Sequence, residues 1–182
     1  MRTSNPKMTS ANLPACGTIA VEISDTQAHL QVDPDALTRM VRRVLDEEGV
    51  GSASISIALV DDATIHAVNR RHLGHDWPTD VISFRLSDAD DPTLGGELVV
   101  STETAAATAS EVGTAPGAEL ALYVVHGLLH LCGYDDHADA DVIAIRRREG
   151  EIMAGEGLAH TFAPTGIDEP RDAGRETTRW SV

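Results

Sequence analysis

GAELALYVVHGLLHLCGYDDH, residues 117–137, carries the reading of this chain. Gly117 to Cys132 is its most apolar stretch and predicts a helix. Near its end stand His126 and His130. Positions i and i+4 share a helix face, so both imidazoles can point at one ion. Gly133 lets the chain reverse, and donors beyond the turn, Asp135, Asp136 and His137, can swing back. Two helical ligands, a third from the turn and an open position form the pattern of a catalytic zinc rather than a structural one. Zinc suits nitrogen and oxygen donors; manganese and nickel also accept them. Cys132 lies off the His126/His130 face.

The residue after the first histidine narrows the chemistry. In H-E-x-x-H proteases a glutamate there serves as general base. Here it is Gly127, which cannot take a proton. That argues against peptide hydrolysis and leaves the metal as Lewis acid and source of hydroxide. The base is unassigned; Asp80 or the substrate itself could serve.

Composition bounds the rest. The chain has 182 residues, 42% of them hydrophobic, enough for one domain with a core. No apolar run reaches the ~18 residues of a membrane span, and the polar N-terminus lacks a signal-peptide centre. Two cysteines, Cys16 and Cys132, make no disulfide framework, so a reducing cytoplasm is expected. The net charge of −15 argues against indiscriminate nucleic-acid binding. Arginines nevertheless cluster at Arg39/Arg42/Arg43, Arg70/Arg71 and Arg146/Arg147/Arg148.

Outward from the histidine helix, strands and helices interleave. Thr18–Ile23 and Ser52–Val60 alternate as strands. Asp33-Pro34 opens a helix with Leu37, Met40, Val41, Val44 and Leu45 at helical spacing. Asp61/Asp62 cap a second helix through His72. Asp80–Leu86 and Glu97–Ser101 read as strands, linked by an acidic loop, Ser87–Gly96. Thr102–Val112 and Asp139–Ala154 read as helices. Residues 1–16 read as a variable arm and 161–182 as a polar tail, leaving a domain at 17–160. Four strands among helices predict an α+β sandwich around one sheet.

Three segments then agree in order and spacing. His126-Gly-Leu-Leu-His130-Leu-Cys-Gly133-Tyr134-Asp135 resembles the H-G-x-L-H-L-x-G-Y-D-H signature of the YbeY family, bacterial endoribonucleases and rRNA maturation factors. Asn69 to Phe84 is similar to that family's N-x-x-[YF]-R-G-x-D-x-P-T-D-V-L-S-F. Gly96-Glu-Leu-Val-Val-Ser101 is similar to its G-[DE]-I-x-I-S strand. The resemblance covers about residues 18–158. It implies a single domain with a mixed four-stranded sheet flanked by helices. It further implies one Zn2+ per chain and single-strand-specific endoribonuclease activity in late rRNA maturation, including the 16S 3′ end. The implied partners are rRNA and the small ribosomal subunit, with no membrane and no DNA.

Two positions depart from the family pattern. Asp136 stands where the family has histidine; by register it takes the ligand position beside His126 and His130, with His137 the alternative. Leu73 stands where the family carries an arginine associated with RNA phosphate; Arg70, Arg71 or Arg85 are the candidates to replace it. Thr79, Asp80 and Ser83 are expected to line the substrate cleft, and Trp77 and Tyr134 are candidates to stack on a base. The alternative functions are a non-catalytic ribosome-assembly factor with a structural zinc, or a metal-dependent hydrolase of another substrate.

Overall fold

The first strand, β1 (Ile19–Asp25), pairs in parallel with β2 (Ala53–Val60), and α1 (Pro34–Glu47) forms the crossover between them. The Asp33 carboxylate accepts from the Asp35 and Ala36 amides at 2.9 and 3.2 Å, and Pro34 presets the first turn. Leu37, Met40, Val41, Val44 and Leu45 then form one buried stripe. Gly49, at φ +74°, turns the chain into β2. The structure is a computed structural model describing residues 17–158. The expected arm at 1–16, and the expected tail at 161–182, lie outside those residues.

From β2 the chain enters α2 (Asp62–His72), capped by the Asp61 carboxylate on the Thr64 amide at 2.9 Å. It continues through β3 (Val81–Arg85) and β4 (Leu94–Ser101). β4 inserts between β2 and β3, parallel to the former and antiparallel to the latter, so the order is β1-β2-β4-β3. The mixed four-stranded sheet and flanking helices are as expected. The link between β3 and β4 is shorter than expected, because β4 begins at Leu94 rather than Glu97. Leu94, Gly95 and Gly96 pair in register with Ala53, Ser54 and Ile55, so the ladder overrides the weak strand preference of two glycines. Gly96 also has a packing reason: a Cβ there would lie 2.4 Å from Leu131 Cδ1 of the histidine helix.

Three helices complete the domain: α3 (Thr102–Val112), α4 (Pro116–Leu131) and α5 (Asp139–Gly155). Almost every side chain of α4 is buried, because it packs against β3, β4, α1, α3 and α5. Alternation along the strands sends Ile55, Ile57, Leu59, Leu98 and Val100 into this larger core. The opposite face holds a smaller cluster, Val60, Ile65, Ile82 and Val99, covered by α2. Leu73 at the end of α2 packs against that cluster together with Val68 and Phe84. It therefore takes a packing role at the position where the resemblance expects an arginine.

α5 is fastened to α1 by Arg148. Its guanidinium donates to Glu48 at 2.6 Å and Glu47 at 2.8 Å. Arg147 is exposed and lies 3.9 Å from Glu151, one turn on. The three adjacent arginines of α5 thus point in different directions. No helix among the described residues is long and apolar enough to cross a membrane.

Candidate metal centre at the end of the histidine helix

Gly127 decides how α4 sits. A Cβ there would lie 2.8 Å from Leu98 Cδ2 and 3.1 Å from both Ser83 Oγ and Val81 Cγ2. The glycine lets the helix settle onto β3 and β4. Its position faces the sheet, so a glutamate could not act as a base there; it would bury a carboxylate between Leu98 and Val81. Gly127→Glu combines overpacking with an unpaired buried charge, the mechanisms behind losses above about 4 kcal/mol. We expect a melting temperature lower by roughly 10 °C or more, read by circular dichroism, with no gain of peptidase activity.

With that face against the sheet, His126 and His130 bring their Nε2 atoms within 3.0 Å of each other. The other ring nitrogens are both engaged. His126 Nδ1 lies 2.6 Å from Glu149 Oε1, and His130 Nδ1 lies 3.0 Å from the Tyr134 carbonyl. A carboxylate and a carbonyl accept, so each Nδ1 donates, and a ring with its proton on Nδ1 presents a lone pair at Nε2. Two lone pairs at that distance do not bond one another, so the pair is arranged to share a proton or a metal cation. Burial, reinforced by His126, holds His130 below the ordinary histidine value, which favours the form that can ligate.

Gly133, at φ +99°, reverses the chain after Cys132, and the following turn returns Asp136 to the histidines. One donor atom each from His126, His130 and Asp136 lie within 4.8 Å of one another. Asp136 is buried, and its Oδ1 is shielded from solvent without a hydrogen-bond partner. An orphaned buried carboxylate oxygen beside two imidazole lone pairs fits a divalent cation, because three donors exceed what one proton can bridge. A second group, Asp135, Asp136 and His137, also comes together. There the His137 side chain is 58% exposed and leans on Asp135 at 3.3 Å and Asp136 at 3.6 Å. Cys132 lies off the site; burial pushes its thiol up to about 11, so it remains protonated.

The remaining candidates divide. Thr79 donates to Asp80 Oδ1 at 3.3 Å. Burial pushes the Asp80 carboxyl above the ordinary carboxylate range, while nearby His126 pulls it down. This pair therefore stands beside the site. Ser83, expected in the cleft, lies beneath α4 and donates to the Gly127 carbonyl at 3.3 Å. Arg85 donates to the Leu131 carbonyl at 3.2 Å and to Ser87 at 3.3 Å, closing the C-terminus of α4. Both help to seat α4, Ser83 buried beneath the helix and Arg85 exposed at its C-terminal end. Arg70 and Arg71 stand exposed on the last turn of α2. Tyr134 packs against the larger core, and Trp77 stays outside both clusters.

Sequence reasoning missed Glu149. It is 1% exposed, and its second oxygen accepts from Arg146 Nη1 at 3.0 Å. A signal was present: Ile145, Glu149, Ile152 and Met153 recur at helical spacing as the buried face of α5. An acid within an apolar stripe needs a buried partner.

A family model described as Endoribonuclease YbeY matches residues 22–156. A relative from Rhodopirellula baltica, named Endoribonuclease YbeY, is 49% identical over 108 residues; the match spans 58% of this chain and 55% of that protein. Another of the same name from Pelotomaculum thermopropionicum is 39% identical over 144 residues, spanning 73% of this chain and 94% of its own. The solution structure of a Thermotoga maritima protein matches with a TM-score of 0.51 at 26% identity, covering 77% of this chain and 91% of that one. On the matched span and the shared fold together, the chain belongs to the endoribonuclease YbeY family.

Proposed function

We propose that this protein is a metal-dependent endoribonuclease that cuts single-stranded RNA. On this reading it acts in the cytoplasm in late rRNA maturation, at the 16S 3′ end, in association with the small ribosomal subunit. One observation carries the metal dependence: two imidazole Nε2 atoms face each other at 3.0 Å beside the buried Oδ1 of Asp136, which has no hydrogen-bond partner. His126, His130 and Asp136 would hold the ion, with zinc the best match to the donor set. When bound, it supplies a Lewis acid for a phosphodiester and a lowered pKa for water.

The chain's own residues do the rest. Glu149 and the Tyr134 carbonyl fix the two rings so that the correct nitrogens face the site. Asp80, raised by burial and adjacent to His126, is the group placed to hold a proton during the reaction. Arg70 and Arg71, exposed on the last turn of α2, are the candidates for phosphate contacts.

The test is cleavage of a single-stranded RNA bearing the 16S 3′ end by wild type and His126→Ala, with metal content measured for both. Wild type should cut and carry metal, and the variant should do neither. Equal cleavage by the two contradicts the mechanism. A second reading has one observation in its favour: Leu73 is given to packing where the resemblance expects a phosphate-binding arginine. It treats the protein as a non-catalytic assembly factor. Binding to small-subunit particles that survives loss of the metal ligands, without cleavage, would support it.

A further inference from the structure

Trp77 is a large apolar side chain left 39% exposed, and it belongs to neither apolar cluster. Its indole stacks on His75 with centroids 4.9 Å apart and planes 11° from parallel. The backbone beneath it is anchored, because buried Asn69 donates its amide to the Trp77 carbonyl at 2.9 Å. The result is a fixed aromatic surface, open to solvent, on a segment tied down at its root.

The surroundings indicate what such a surface would meet. The last turn of α2 carries Arg70, Arg71 and His72, and His75 follows. From Ala63 to His75 the sequence has no acidic residue, although the whole chain has a net charge of −15. The next acid, Asp76, is engaged by His66 at 2.9 Å and lies 4.0 Å from Arg70, leaving Arg71 without an acid that competes for it nearby in sequence. Cationic and aromatic groups interleaved on one segment suit a polyanion whose units carry flat rings, which is single-stranded nucleic acid. The position also fits. Asp80 is three residue steps beyond Trp77, so at ~3.5 Å per residue their Cα atoms lie within about 11 Å. Val81, the residue after Asp80, lies against Gly127, the residue after His126.

We propose that the His75–Trp77 stack is a platform for one unpaired nucleobase of the RNA, held beside the bond to be cut. The arginines at the end of α2 would take the flanking phosphates. The proposal rests on the reading of RNA as substrate, but its test does not require cleavage. The chain has two tryptophans, Trp77 and Trp180. In a full-length Trp180→Phe protein, Trp77 is the sole reporter.

The probe is a single-stranded RNA dodecamer, titrated in the cold at fixed salt and recovered intact on a gel. Binding should quench Trp77 fluorescence. By anisotropy, Trp77→Ala should weaken binding about tenfold and Trp77→Phe by no more than about threefold. A dodecamer with the same backbone and no bases should bind wild type about tenfold more weakly. Unchanged affinity in Trp77→Ala, absence of quenching, or equal binding of the abasic strand would each overturn the platform. Quenching and weakened Trp77→Ala binding without any cleavage by wild type would support it while contradicting the nuclease reading. Cleavage by wild type with unchanged Trp77→Ala binding would do the reverse. Melting curves confirm that each variant is folded.

Discussion

Asp136→Ala is expected to lower the affinity for Zn2+ by more than about 100-fold, while His137→Ala leaves it within about threefold. The scale follows from removing a ligand outright, since loss of an outer partner alone costs ~10–100-fold. The asymmetry follows from burial. Asp136 is 7% exposed and its Oδ1 has no hydrogen-bond partner, whereas the His137 side chain is 58% exposed. A buried oxygen kept without a partner opposes folding until a cation arrives. The metal-free Asp136→Ala protein should therefore melt at or above the wild-type temperature, although the variant has lost the site. Competition against a chromophoric chelator measures the affinity, and calorimetry in chelator the stability. Comparable losses of affinity in the two variants would contradict the assignment. A large loss of metal-free stability in Asp136→Ala would make that residue structural instead.

The second large effect is expected at Glu149. Its carboxylate links His126 on one side, at 2.6 Å, to Arg146 on the other, at 3.0 Å. Such a partner fixes the ring orientation and keeps the ligating nitrogen turned to the ion. Glu149→Gln nearly preserves shape but replaces one acceptor oxygen with a donor, so one of the two contacts must fail. Metal affinity should fall about 10–100-fold, and RNA cleavage at limiting zinc should fall with it. Excess zinc should restore the Gln variant, which separates a positioning defect from loss of a ligand. Glu149→Ala removes both contacts and leaves a void against α4. It should cost about 3 kcal/mol, or roughly 6–12 °C in melting temperature. Full zinc affinity in Glu149→Gln would show that His126 needs no such partner.

These two residues also mark where the sequence was informative. That His126 and His130 share a face was legible because helical spacing is a local rule, whereas Asp136 was preferred to His137 by the register of the resemblance and not by the turn itself. The stripe of α1 was legible because Asp33 and Pro34 announce its start and five apolar residues continue it. Glu149 was not, since its partner lies 23 residues away and the contact depends on how α5 crosses α4. The start of β4 was hidden by two glycines, whose presence in a strand follows from the approach of Leu131 to Gly96 rather than from any local preference. Ser83 and Arg85 looked like cleft residues by chemical type. Strand alternation sets Ser83 beneath α4 on the Gly127 carbonyl, while Arg85, exposed at the end of β3, reaches the Leu131 carbonyl. Gly127 reads correctly as a missing base in the sequence, and the structure adds that no base could stand there.

The most direct test of the account is the anomalous scattering of a crystal grown with zinc. The account predicts one peak per chain, ~2.0–2.1 Å from Nε2 of both His126 and His130 and ~2.0–2.2 Å from a carboxylate oxygen of Asp136. A peak ligated by His137 with Asp136 turned away, or no peak between the two histidines, would contradict it.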